Sequence, residues 1–303
     1  MNKETLQDIF YFPLYLYFKI HAMLPLPVLY ILADILYLPL FYIVRYRRKL
    51  VFQNMKNSFP EKNTNELRKM EKAFYRHFCN YIVETIKLMH ISDKEMRRRM
   101  VFENTEVVEE CFRRNQSIII LLGHYGNWEW VPSVTLWTDM GQATFAQIYR
   151  PLKNRWFDRF FLKLRSRFGS VSIPKADTLR EILKMRNSGK PSITGFMADQ
   201  TPSPANIHHW VKFLNQETAA LTGFEKIARK TGFSVLFFDV EVIKRGYYKT
   251  TIRVIESDPK SVPEYTITDR YMNLMEKCIL RKPEYWLWTH KRWKYHHQDF
   301  PNT

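Results

Sequence analysis

The sequence predicts an α/β protein: a mostly parallel sheet flanked by helices, carried behind a hydrophobic N-terminal segment. Three observations predict it. From about residue 101 onward, short apolar runs alternate with amphipathic helical stretches, the pattern of repeated strand–helix units. Several of those runs are apolar throughout, as strands buried on both faces must be. Residues 9–44 are dominated by Phe, Tyr, Leu, Ile and Val, a composition found nowhere downstream.

The elements follow in chain order. Between residues 20 and 44 only His21 and Asp34 are strongly polar, and a bilayer crossing needs about 20 mostly apolar residues. Pro13, Pro25, Pro27 and Pro39 interrupt the stretch. A kinked helical hairpin in one leaflet and a buried core helix therefore stand beside a single spanning helix as readings. The first ten residues include Lys3, Glu4 and Asp8 and lack the basic start and short apolar core of a cleaved signal peptide. "RYRRK", residues 45–49, comes next, and by the positive-inside rule the chain beyond it is cytoplasmic. The expected division is a membrane anchor over residues 1–45 and one domain over residues 46–303, with no linker inside it.

Asn63 and Glu66 form a capping box for a helix reaching about His90, with Leu67, Phe74, Phe78, Tyr81 and Ile82 on one apolar face. Ser92 and Glu95 repeat the signature before "KEMRRRM". Buried strands are expected at 117–122, 143–149, 171–174 and 191–197. Between them, "RWFDRFFLKLRSRFG" and "DTLREILKMRNSG" read as helices ended by Gly after basic residues. "FSVLFFDVEVI" and "YYKTTIRVIE" read as an antiparallel hairpin turning through Lys244, Arg245 and Gly246. A last helix over 266–281 precedes an aromatic-basic tail, "YWLWTHKRWKYHH".

The 47 Lys and Arg outnumber the 30 Asp and Glu, a formal charge of +17, which calls for an anionic partner. Three scattered cysteines, Cys79, Cys111 and Cys278, offer neither a disulfide framework nor a CxxC pair and suit a reducing compartment. The doublets His208-His209 and His296-His297 would point to opposite faces of a strand, and no His-Glu-x-x-His occurs; no metal and no cofactor are expected. "MRRRM" and "HKRWK" come without a nucleic-acid-binding motif, so anionic lipid or an acidic protein is the expected partner rather than nucleic acid.

The chemistry concentrates in "IIILLGHYGNWEW", residues 118–130. His124 follows an apolar strand directly, and in open α/β sheets ligands bind beyond the carboxyl ends of strands. Five residues on one continuous helix turn through about 500°, leaving two side chains roughly 140° apart. His124 and Glu129 can therefore meet only if the histidine sits in a strand-to-helix turn, which Gly123 and Gly126 permit. Asn127 would cap the helix and Glu129 would lie in its first turn. A carboxylate on one ring nitrogen fixes the tautomer and leaves the other nitrogen to take a proton from a hydroxyl. The same residues also suit a core histidine beside a capping glutamate.

This His-x-x-x-x-Glu resembles the His-x-x-x-x-Asp signature of the glycerolipid acyltransferases. More closely, the chain is similar to the late acyltransferases of lipid A biosynthesis. The motifs carrying that likeness are "GHYGNWEW", "YRPLKN" (149–154), "DQTPS" (199–203), "ETAALTGFEKIARKTG" and "YWLWTHKRWK". The Phe-Pro-Glu-Gly-Thr-Arg motif of the glycerophosphate branch is missing downstream of the histidine.

The resemblance implies a glycerolipid acyltransferase-like fold on the cytoplasmic face of a bacterial inner membrane. It implies transfer of an acyl chain from an acyl carrier protein thioester to a lipid hydroxyl. With no GxSxG elbow, direct attack is expected rather than an acyl-enzyme. His124 is then the general base, oriented by Glu129. Arg150 holds a phosphate or the thioester oxyanion, and Asp199 pairs with Arg150 or touches the acceptor. Tyr149, Asn127, Gln200, Lys153 and Arg155 are expected substrate contacts. Lys153 and Arg155, with Lys291, Arg292 and Lys294 of the tail, would also steer an acidic carrier. Two other readings keep the same residues: a different lipid acceptor, or a basic membrane- or nucleic-acid-binding protein without chemistry.

Overall fold

In a computed structural model, which describes residues 3–138, 141 and 143–300, nine strands are distributed over two sheets. In chain order these are β1 (Met100–Glu103), β2 (Ile118–Leu122), β3 (Thr144–Tyr149), β4 (Val171–Pro174), β5 (Ser192–Met197), β6 (Trp210–Phe213), β7 (Gln216–Ala219), β8 (Ser234–Lys244) and β9 (Tyr247–Glu256). Seven form the main sheet in the order β1-β9-β8-β2-β5-β3-β4, and β6 and β7 make a separate ribbon. Every neighbour in the main sheet is parallel except β8 and β9, which form the expected hairpin around Gly246, at φ 70°. The β6–β7 ribbon has no counterpart in the sequence reading.

The helices are α1 (Lys3–Met23), α2 (Leu26–Leu38), α3 (Arg48–Ser58), α4 (Thr64–Lys87), α5 (Asp93–Arg99), α6 (Glu106–Arg113), α7 (Arg155–Arg165), α8 (Thr178–Asn187), α9 (Gly223–Thr231) and α10 (Thr266–Arg281). The Asn63–Glu66 capping box at α4 is complete, with Asn63 accepting from the backbone N–H of Asn65 and Glu66 and Glu66 accepting from that of Asn63. Ser92 caps α5, but Glu95 is drawn onto Arg98 and Arg99, so the second box is only half made.

Chain order and spatial order disagree at β2, and that disagreement makes the site. The chain steps outward from β2 through β3 to β4, returns as β5 between β2 and β3, and then crosses to β8 on the far side of β2. Such a reversal opens a crevice at the carboxyl ends of the two central strands. β2 is apolar throughout and every one of its residues is buried, whereas β5 buries the small polar Ser192 and Thr194 beside it.

The N-terminal helices lie against the domain. α2 buries Leu26, Leu29, Tyr30, Ala33 and Tyr37 on one face and turns Val28, Ile31, Ile35 and Leu38 outward. This is the spacing of an amphipathic helix, except that its outer stripe is also apolar. A π-helical turn, Pro39–Ile43, extends it. α1 continues over Pro13, stacks Tyr11 on Trp156 and packs Phe18 at a tilt on Phe160 of α7. Arg245 of the β8–β9 turn reaches Asp34 at 2.8 Å and Asn80 at 2.6 Å, tying α2 to α4. Among the described residues one 18-residue stretch, Leu26–Ile43, is long and apolar enough to cross a membrane, yet one side of it is core.

Candidate active site

The register of β2 and β5 pairs Leu122 with Met197. His124 and Asp199 each lie two residues beyond that pair, so equal steps off adjacent strands bring them together. His124 Nδ1 is 2.7 Å from Asp199 Oδ1, and the His124 backbone N–H donates to Oδ2 at 2.8 Å. Trp286 Nε1–H donates to the same Oδ2 at 2.8 Å. Burial alone would raise the Asp199 carboxyl, but the His124 ring beside it and these N–H donors hold it down at about 2. The carboxylate accepts from Nδ1–H, which leaves Nε2 as the proton acceptor. The Gln200 amide, 3.2 Å from Nε2, occupies the place of a hydroxyl donor.

Glu129 is not the partner of His124, which corrects the sequence expectation. It makes a forked ion pair with Arg165 at the end of α7, with Nε at 2.8 Å and Nη2 at 2.6 Å. The reason is local. Residues Trp128–Leu136 form a 3-10 segment rather than an α-helix, and its first turn carries Glu129 toward α7. Asn127 is not a side-chain cap for that segment. It is fully buried, donates to Glu84 Oε2 at 2.8 Å, and anchors the turn from beneath, away from the cavity wall. Asp199 likewise does not pair with Arg150. Of the expected residues, the fold gathers His124, Glu129, Tyr149, Arg150 and Gln200 around one cavity of about 650 Å³. Asp199 stands directly behind the histidine. Lys153 and Arg155 are exposed outside the cavity at the start of α7. Arg292 is fully buried, donating to Thr218 Oγ1 at 2.6 Å and Ala219 O at 2.7 Å, and steers nothing; Lys291 and Lys294 are exposed.

The turn is held from every side. Gly126 has φ 62°, a left-handed conformation that costs other residues more. A Cβ on Gly123 would lie 2.3 Å from Met275 Sδ and 3.2 Å from Asp199 Oδ2, so any side chain here would have to displace the end of Met275 and press on the carboxylate. The tail supplies the rest: Leu287 N–H donates to His124 O at 3.1 Å and Gly126 N–H to Tyr285 O at 3.0 Å. His77 of α4 donates to Gly126 O at 3.1 Å. Trp128 meets the His124 ring edge-on and stacks on Tyr81 with centroids 4.1 Å apart.

Sequence reasoning missed Arg165 and Trp286 as site residues. Arg165 read as an ordinary basic residue at a helix end, although it closes a helix whose other face is Trp156, Phe160 and Leu164. Trp286 lay within a motif that the likeness had already singled out. None of the three cysteines lines the cavity, and burial pushes the Cys79 and Cys278 thiols up to about 12. No group of three or more His, Cys, Asp or Glu placed to hold a metal occurs among the described residues.

A histidine–aspartate pair at the switch point of a parallel sheet opens on a deep cavity lined largely by apolar side chains, the arrangement of an enzyme site with a base at its mouth. Comparison with known proteins specifies which one. The family model for bacterial lipid A biosynthesis acyltransferases matches residues 5–295, so the chain belongs to that family and is an acyltransferase acting on a lipid acceptor. It is 24% identical over 289 residues to the lipid A biosynthesis lauroyltransferase of Escherichia coli (strain K12), covering 92% of this chain and 89% of the relative. It is 23% identical over 250 residues to the lipid A biosynthesis palmitoleoyltransferase of the same organism, covering 82% and 79%. A lipid A biosynthesis acyltransferase of Shigella flexneri matches to the same extent.

Proposed function

We propose that this acyltransferase moves a fatty acyl chain from an acyl carrier protein thioester to a hydroxyl of a lipid A precursor, with His124 as general base and Asp199 as the group that orients it. The observation that carries the reading is the His124–Asp199 hydrogen bond, with Nε2 turned toward the cavity. The acceptor hydroxyl displaces the Gln200 amide and gives its proton to Nε2. Its oxygen attacks the thioester carbonyl, the carbon–sulfur bond breaks, and the departing thiolate takes the proton back from the imidazolium. Asp199 stabilises the imidazolium without itself taking the proton. Glu129 acts through Arg165: it fixes the planar guanidinium in the cavity wall, where a positive charge stabilises the oxyanion or a donor phosphate. Arg150, also on the wall, serves the same anionic end of the substrates.

The membrane reading rests on the outer stripe of α1, α2 and the π-helical turn that extends it. Phe10 is 75%, Ile31 60% and Ile43 78% exposed, an apolar surface of the kind that marks a membrane or protein contact. Since the opposite side of α2 is core, the hairpin reading is favoured: residues 1–45 lie in the cytoplasmic leaflet of the inner membrane. The domain over 46–303 stays on the cytoplasmic face, with the +17 charge against anionic lipid and an acidic carrier.

Lipid mass spectrometry tests the function. Cells lacking the gene should lose one acyl chain from their lipid A, and wild-type protein should restore it where His124→Ala does not. Restoration by the alanine variant contradicts the chemistry, and an unchanged lipid A with another lipid altered moves the acceptor.

A further inference from the structure

We infer that Gly195, in the middle of β5, sets the length of acyl chain that the enzyme accepts; this rests on the acyl-transfer reading above. Strand register orders one wall of the cavity into rows. The row nearest His124 holds Leu122, paired with Met197, and Tyr149 two residues beyond Gln147, all three on the cavity wall. One row deeper, Ile120 pairs with Gly195 and Gly195 with Gln147. One row deeper again, Phe145 pairs with Ile193. Because side chains alternate, all of these face the same side of the sheet, and each of them except Ile193 lines the cavity. Two residues of strand rise about 6.6 Å, so Phe145 lies roughly 7 Å, or about five methylenes, below the glycine.

Gly195 is therefore a gap between Ile120 and Gln147 through which a chain passes over bare backbone to reach Phe145. A buried central strand is an unfavourable place for glycine, which weakens it and leaves nothing to pack. Nor does crowding by the protein require it. An added Cβ would meet only the Ala146 carbonyl oxygen, at an ordinary 3.7 Å, and otherwise open space. The side chain missing at this position leaves room for a ligand. A chain whose carbonyl sits at His124 enters this wall from the mouth row, so the donor's hydrocarbon is the occupant. Phe145 is its floor.

The test is a competition among saturated acyl thioesters of graded length, at equal concentration and with one lipid acceptor, using the full-length protein in membranes. Product masses give the ratio of long- to short-chain transfer. A methylene placed wrongly in an apolar pocket discriminates by about 10- to 200-fold. Gly195→Val should therefore lower that ratio at least about 10-fold and move the optimum to shorter chains, with Gly195→Ala between it and wild type. Phe145→Ala should move the optimum the other way. In parallel, thermal melting of the purified protein with non-reactive alkyl thioethers of the same lengths reads occupancy without chemistry. The best-stabilising length should shift in the same order. If the thioether optimum shifts but no wild-type transfer occurs with any donor, acyl transfer is wrong while the length assignment holds. If transfer proceeds and neither optimum moves in Gly195→Val, the assignment is overturned.

Discussion

At the scale of residues, the Asp199 carboxylate uses both oxygens for separate purposes. Oδ2 accepts from the His124 backbone and the Trp286 indole, and Oδ1 faces Nδ1. In Asp199→Asn, the two N–H groups compel the amide oxygen to take the Oδ2 position, which turns its NH2 toward Nδ1. The imidazole must then accept there and carry its proton on Nε2, the wrong tautomer for a base. Locking a catalytic histidine in the wrong tautomer costs about 10⁴ in kcat in the serine proteases, and a loss of that order is expected here at neutral pH, measured by acyl transfer. Retention of more than a tenth of wild-type kcat contradicts the assigned tautomer. The histidine itself was legible, because a polar residue flanked by glycines at the end of a five-residue apolar strand has few structural uses. Its partner was not. Glu129 lies five residues away and Asp199 seventy-five, and only the insertion of β5 beside β2 puts the distant carboxylate closer.

At the scale of elements, the strands and helices fell close to their expected places because apolar period, caps and glycine stops are local signals. β4 and α10 match to the residue, and β2 and β5 begin one residue late. The segments whose structure depends on distant partners were not legible. The β6–β7 ribbon is short, and residues 128–136 follow a 3-10 path after the His124 turn. The tail wraps behind that turn. One consequence concerns α4. His77 is buried neutral beneath the turn, and desolvation pushes its pKa down to about 4, only partly offset by its bond to Gly126 O. An unfolded histidine titrates near 6.5, so between pH 6.5 and 4 the unfolded chain binds the extra proton and stability falls as pH falls. A shift of this size is worth up to about 3 kcal/mol. Melting temperature should therefore decline across this window, and His77→Gln, which keeps an N–H donor without the titration, should flatten the decline. An unchanged slope in the variant removes His77 from the explanation.

At the scale of the whole molecule, two surfaces meet: the apolar outer stripe of the N-terminal helices and a strongly basic remainder. Ile31→Asp and Ile35→Asp alter only outward positions of α2, 60% and 58% exposed, so folding should survive. A charge in the apolar layer is unfavourable by about 2.5–3.5 kcal/mol on insertion scales. Flotation with anionic vesicles should show the pair largely displaced, and full retention would place the membrane contact elsewhere. The carrier steering proposed above falls to the exposed Lys153 and Arg155. Reversing their charge should lower kcat/KM for a carrier-protein donor, weaken its salt dependence and leave a small soluble thioester nearly unaffected. Equal losses with both donors would assign these residues to the acceptor.

A double-mutant cycle bears most directly on the proposed chemistry. Groups that act as one unit are strongly non-additive: once the base is gone, removing its partner costs little more. Acyl-transfer rates of His124→Ala, Asp199→Asn and the double variant should show the double no worse than about threefold below His124→Ala alone, whereas Glu129→Gln should multiply its own defect onto His124→Ala. Independent losses for His124 and Asp199, with coupling between His124 and Glu129 instead, would contradict the assignment of the catalytic pair.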